Sequence, residues 1–162
     1  MVATLGVHVY TSTGAGTESG VVTGIDLISA NNATNSLGNR QAFPITVGTN
    51  SFEKWVKLKI SAWPSNGVTN FQIWGDGAVD TSTTFNFTGD YVTGTTPVAS
   101  ASTVADTDFV TYTAGNKAVW DTASYSLTND TTDYAVFQLA VGATANPGNW
   151  TQETISYSYD ET

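Results

Sequence analysis

FEKWVKLKISAW, residues 52–63, carries the clearest strand signal in the sequence. Its apolar residues fall at every second position and share one face with Phe52: Val56, Leu58, Ile60 and Ala62. The other face carries Trp55 and Trp63 together with the polar residues Glu53, Lys57, Lys59 and Ser61. A period of two is typical of a β-strand that buries one face and turns the other toward water.

Similar signals recur on both sides of this stretch. Alternating or continuous apolar segments predict further strands around Leu5–Val9, Val21–Ile28, Phe43–Val47, Phe71–Ile73, Thr83–Phe87, Phe109–Thr113, Ala118–Trp120, Tyr134–Val141 and Ile155–Tyr159. Turn residues separate them about every 8 to 12 residues, a spacing typical of sandwiches and jelly rolls. We therefore expect one all-β domain over residues 1–162, an antiparallel β-sandwich of jelly-roll type with eight to nine short strands.

Helices are expected to be nearly absent. The chain contains 28 Thr, 14 Ser and 15 Gly, which favour strands and turns over helices. Asn31–Asn39 is interpreted as a polar loop, and only Ser100–Asp106 suggests a single helical turn. Thr95–Asp108 has little periodicity and is the best candidate for a long irregular loop, a type of segment that often has a function.

The net charge of −9, from 14 acidic and 5 basic residues, argues against nucleic-acid binding, since a phosphate backbone would be repelled. Three of the five cations, Lys54, Lys57 and Lys59, lie in one predicted strand. We interpret them as lysines on a sheet edge, where they prevent aggregation, rather than as a contact patch.

The sequence lacks the residues that most catalytic and metal-binding sites need. There is no Cys, and His8 is the sole imidazole, placed within a strand and without a Gly-x-Ser-x-Gly nucleophile motif. Three acidic pairs are interpreted as turn residues: Asp76 with Asp80, Asp106 with Asp108, and Asp130 with Asp133. We predict no enzyme activity, no cofactor and no metal, although a bound calcium ion stays open as an alternative.

Trp55 and Trp63 lie on the polar face of the same predicted strand, and Trp74 lies on the corresponding face of the next strand, which suggests an aromatic surface. Such a surface suits either the stacking of sugar rings or an interface with another subunit. The sequence leaves these alternatives open.

The residues of this sequence lead us to expect neither an export signal nor a membrane span. Met1 leads directly into Val2–Tyr10 without a basic region, a long apolar run or a cleavage site, and no 18-residue apolar stretch occurs. A Thr- and Asn-rich β-domain with this start is expected to be either a virion protein made in the host cytoplasm or a piece of a longer secreted protein.

The last third of the chain contains the stretches 133–141 (DYAVFQLAV), 145–148 (ANPG) and 154–161 (TISYSYDE), and the middle contains 71–77 (FQIWGDG). In the first three stretches, and more weakly in the fourth, the chain resembles small structural proteins of tailed-bacteriophage virions. It implies a capsid decoration or cement protein on the capsid surface, bound to the major capsid protein and to copies of itself as a trimer. The alternative is a carbohydrate-binding, lectin-like module, for example on a tail fibre.

A structural role of this kind requires contact residues rather than catalytic ones. We expect the first and last strands and the aromatic surface to supply them, and the predicted interface residues are Leu5, Val7, Val9, Trp55, Trp63, Trp74, Ile155, Tyr157 and Tyr159. An edge strand at either end of the chain is expected to be completed by a neighbour's strand.

Overall fold

The computed structural model describes residues 3–11, 18–32, 35–62, 67–77, 82–92, 96–146 and 152–162. Within these ranges eight strands form two antiparallel sheets, which confirms the predicted all-β, sandwich-like fold. In chain order the elements are β1 Thr4–Tyr10, α1 Leu37–Ala42, β2 Lys54–Ala62, β3 Val68–Trp74, β4 Thr83–Tyr91, β5 Thr107–Asp108, a 3₁₀ turn Phe109–Thr111, β6 Ala118–Asp121, β7 Tyr134–Val141 and β8 Ser156–Glu161.

The larger sheet has the strand order β1-β2-β7-β4-β5, and the smaller sheet has the order β6-β3-β8. Apolar side chains from the inner faces of both sheets meet in one core, as the alternation of apolar residues predicts. Val56, Leu58 and Ile60 of β2 are buried there with Phe85 and Phe87 of β4. The sheets approach closely at Gly89 of β4, where a Cβ atom would collide with the carbonyl oxygen of Val119 in β6.

The larger sheet also buries part of its outer face. Tyr10, Trp55, Tyr134 and Val136 form a second apolar cluster there with Ala105, which belongs to the loop after β4. The side chains of Glu53 and Gln138 hold this loop. Gln138 Nε2 donates to the carbonyl oxygens of Ser51 (3.0 Å) and Ser100 (2.7 Å), and its Oε1 accepts from the Ser102 amide (2.7 Å).

The structure corrects several local predictions. Val21–Ile28 and Phe43–Val47 are not strands, and Phe109–Thr111 is a 3₁₀ turn instead of the start of a strand. A short helix, α1, begins inside the predicted polar loop Asn31–Asn39, because Ser36 caps it by accepting from the Asn39 amide (3.1 Å). Ser100–Asp106 forms no helix.

Strand β2 lies inside the larger sheet, so its lysines do not guard an edge as predicted. Lys54 is buried, and its ammonium group donates to the carbonyl oxygens of Ala30 (3.2 Å) and Asn32 (2.6 Å). Lys57 Nζ lies 4.0 Å from the centre of the Tyr134 ring, and Lys59 Nζ is 2.9 Å from the carboxylate of Glu18. The three cations therefore stabilise contacts within the chain.

Candidate functional site

The two sheets separate on one side of the sandwich and leave an apolar cleft of about 1290 Å³ between them. Both sheets supply its floor, with Val56 and Phe137 from the larger sheet and Ile73 and Trp120 from the smaller one. Clefts of this kind, apolar and partly enclosed, are the usual binding sites of proteins. The cleft is therefore the candidate functional site.

Exposed apolar side chains surround the mouth of the cleft. Val21 is 67% exposed, Leu37 59%, Val47 46% and Phe43 40%, and all four line the cleft. Isolated apolar residues on a surface are ordinary, but several around one opening mark a surface that binds something. We call these four residues the apolar rim.

The apolar rim lies on helix α1 and on two irregular segments, Val21–Ile28 and Phe43–Val47, and polar contacts hold the first segment and α1 in place. The amides of Ser19 and Val22 donate to the carbonyl oxygens of Val9 (2.8 Å) and Val7 (2.9 Å), which fixes the first segment along the outer edge of β1. The buried carboxylate of Asp26 joins that segment to α1, because it accepts from the Ser36 amide (2.7 Å) and from Arg40 Nη1 (3.0 Å).

Strand β8 forms another border of the cleft and is the last strand of the smaller sheet. No strand in the described ranges pairs with its outer edge. Carboxylates lie at both of its ends. Glu153 precedes it and accepts from the amides of Asp76 (2.9 Å) and Gly77 (3.0 Å), while Asp160 and Glu161 close the strand.

The predicted interface residues fall into three groups. Val9 and Trp55 are each only 2% exposed, so their own chain buries them and neither offers a surface to a partner. Trp63 lies outside the described residues. The others are partly buried, and four of them line the cleft from opposite sides: Leu5, Val7, Ile155 and Tyr157.

Trp55 and Trp74, the described members of the predicted aromatic surface, lie on strands of different sheets. Trp55 packs edge-on against Tyr91 and donates from Nε1 to Glu53 (3.0 Å) beneath the loop after β4. Trp74 is half-buried, and Lys117 Nζ lies over its ring at 4.4 Å. Tyr159 packs near Phe71 and donates from its hydroxyl to the carbonyl oxygen of Ala3 (3.0 Å). Carbohydrate binding stays a prediction, but Trp55 cannot stack on a sugar in this arrangement.

The structure brings together Asp90, Asp121 and Asp133, whose carboxylate oxygens lie within 4.8 Å of one another, whereas the sequence had grouped Asp133 with Asp130. Asp121 is fully buried, and it accepts from the amides of Ala123 (2.6 Å) and Asp133 (2.5 Å) and from the Tyr125 hydroxyl (2.6 Å). Burial, and next the charge of Asp121, raise the pKa of the Asp133 carboxyl. The bonds of Asp121 to its own chain indicate a structural role.

Turn bonds account for Asp108 and Asp130, as predicted. Asp108 accepts from the Val110 amide (3.3 Å) and Asp130 from the Leu127 amide (2.9 Å), whereas Asp80 lies outside the described residues. His8 is buried, with Nδ1 2.9 Å from the Ser19 carbonyl oxygen and 2.9 Å from Glu18 Oε1. Both neighbours belong to the segment that lies along the outer edge of β1, so His8 packs within this edge.

The buried side chain of Lys54 should make the free energy of unfolding depend on pH. Burial lowers its pKa to about 8, from an ordinary value of 10.5. Between these values the folded protein has released the proton while the unfolded chain keeps it, so stability must rise with pH. We expect the free energy of unfolding to gain about 1–2 kcal/mol from this group between pH 7.5 and 9.5.

Urea unfolding at several pH values measures this gain. Lys54→Met should remove it, while Lys117→Met, at a half-buried lysine, should leave it unchanged. An identical pH profile for the native chain and Lys54→Met would contradict the assignment of the rise to Lys54.

Sequence reasoning missed the apolar rim. The available signal was that Val21–Ile28 and Phe43–Val47 are apolar pieces interrupted by Gly24 and Pro44. Such interruptions disfavour a continuous strand and leave apolar side chains without a regular partner.

Among the residues that the structure describes, no helix has the length and apolar character that a membrane crossing requires. Comparison of the chain with models of protein families, with curated proteins and with solved structures gives no significant match.

Proposed function

We propose that this chain is a non-enzymatic structural protein of a bacteriophage virion, a decoration or cement subunit that binds the major capsid lattice and copies of itself. The observation that carries the proposal is the apolar rim around the cleft between the sheets. Apolar groups concentrated around an opening are stabilised when another protein covers them. The assignment to a virion rests on the resemblance of residues 133–141 and 154–161 to phage structural proteins.

The ionisable groups in the interior support a structural role. Glu53, Asp121 and Lys54 are buried, and each bonds to the main chain or to side chains of its own sheet and loops. Contacts of this kind stiffen a fold, and a lattice-binding subunit needs stiffness more than chemistry.

Purified virions provide the test. We expect the chain to co-purify with the major capsid protein in a fixed ratio, measured by quantitative mass spectrometry. Particles made without it should lose infectivity at a lower temperature than complete particles. Absence of the chain from purified particles would overturn the virion assignment, and unchanged heat resistance would overturn the cement role.

A further inference from the structure

The outer edge of β8 and the cleft lie side by side. Tyr157 of β8 lines the cleft, and so do Leu5 and Val7 of β1 on the opposite sheet. The Ala3 amide, just before β1, donates to the carboxylate of Glu161 at the end of β8 (2.6 Å), so the two strands face each other across the opening. A strand added beyond β8 would therefore turn every second side chain toward Leu5, Val7 and Val21.

The corresponding edge of β1 is already occupied. The chain's own residues 18–22 bond to the carbonyl oxygens of Val7 and Val9. Of the two strand edges that were expected to accept a neighbour's strand, β8 is thus the one that no described strand covers.

We propose that β8 and the cleft together bind an extended segment of a partner protein by strand addition, an inference that rests on the proposed structural function. The main chain of the segment pairs with the outer edge of β8, and its alternate apolar side chains fill the cleft beside the apolar rim. In such complexes the main-chain bonds supply affinity and the alternating pockets supply specificity.

The charged groups around β8 indicate which residues the partner segment carries at its ends. Carboxylates lie near the start of β8, at Glu153 and at Asp76 of the segment after β3, and at its end, at Asp160 and Glu161. The cation that lines the cleft, Arg40, is paired with Asp26. The segment that fits this site therefore has apolar residues at alternate positions and Lys or Arg at its ends.

The same charges disfavour other occupants. A second copy of this chain would add its own net charge of −9 to a site that is already acidic. A fatty acid would bring a carboxylate to the same acidic border.

A synthetic peptide tests the proposal. The probe has four valines alternating with threonines, two lysines at each end and a fluorescent label, and its binding to the full chain is measured by anisotropy. We expect saturable binding that weakens about tenfold in Val21→Lys, because this change places a polar cation on the apolar rim. Val92→Lys is the matched control, since Val92 is 71% exposed and lies outside the cleft.

Three further measurements distinguish strand addition from nonspecific attraction. A peptide of the same composition with its valines in one block should bind at least about tenfold more weakly, since its side chains no longer alternate. A peptide with glutamates in place of the lysines should also bind more weakly. Amide hydrogen exchange within residues 156–161 should slow when the first peptide binds, because the amides on the outer edge of β8 become hydrogen-bonded.

Equal binding of the alternating and block peptides, or unchanged exchange in β8, would overturn strand addition. Binding of oleic acid that Val21→Lys abolishes, without binding of the peptide, would also overturn it and assign the cleft to a lipid. If any of these results is found but the chain is present in virions, strand addition is overturned and the proposed virion function is retained. Peptide binding without presence in virions supports the β8 site and removes the virion assignment.

Discussion

Replacing Asp121 by Ala is expected to lower the free energy of unfolding by about 4 kcal/mol, the largest loss that we predict for a single side chain. Asp121 is fully buried and accepts three hydrogen bonds, two from amides and one from the Tyr125 hydroxyl. Without the carboxylate, three donors lose their partner in a place that water does not reach easily. Relief of the repulsion between Asp121 and Asp133 offsets only part of this cost.

Urea unfolding followed by tryptophan fluorescence measures the loss. Asp121→Asn keeps one acceptor oxygen and should fall between the native chain and Asp121→Ala. Asp106→Ala, at an exposed aspartate, is the matched control and should change stability by less than about 0.5 kcal/mol. Similar losses for Asp121→Ala and Asp106→Ala would show that the buried carboxylate does not organise the turn after β6.

Replacing Gln138 by Leu is expected to cost about 3 kcal/mol, although leucine preserves most of the volume. Gln138 is fully buried in β7, and its amide group bonds to Ser51, Ser100 and Ser102. Leucine would leave two carbonyl oxygens and one amide without these partners. The loop after β4 should then open more often and expose Trp55 beneath it.

Two measurements on Gln138→Leu separate its effect on stability from its effect on the loop after β4. Urea unfolding gives the loss of stability, and limited proteolysis shows whether new cleavage falls within residues 96–106. Gln41→Leu, at an exposed position of α1, should alter neither. A stability loss without new cleavage in this loop would mean that Gln138 supports β7 alone, contrary to the role that we assign to it.

Alternation in the sequence was sufficient to predict the strand faces that form the core. Val56, Leu58 and Ile60 are buried together, and Ile155, Tyr157 and Tyr159 pack against the same core. Alternation describes which residues share a face, but it does not say what lies against the other face. For this reason the sequence predicted a polar outer side for β2, whereas a distant loop buries Trp55 there.

The candidate site was predicted only in part. Leu5, Val7, Ile155 and Tyr157 were expected to contact a partner, and they line the cleft. The apolar rim was missed, because Val21–Ile28 and Phe43–Val47 were interpreted as strands that would bury their apolar residues. In the structure the first segment lies along the edge of β1, and the second comes directly after α1 in the chain. Neither is a strand, and Val21, Phe43 and Val47 stay exposed.

The sequence by itself determined the all-β class, the inward face of most strands and the acidic charge, since these depend on neighbouring residues and on composition. Only the tertiary structure decided that β2 is an inner strand, that Asp90, Asp121 and Asp133 meet, and that the sheets separate to form a cleft beside β8. The physical reason is that a period of two specifies a face but not a partner. Pairing of strands depends on contacts between residues far apart in the chain, and these form only when the whole sandwich folds.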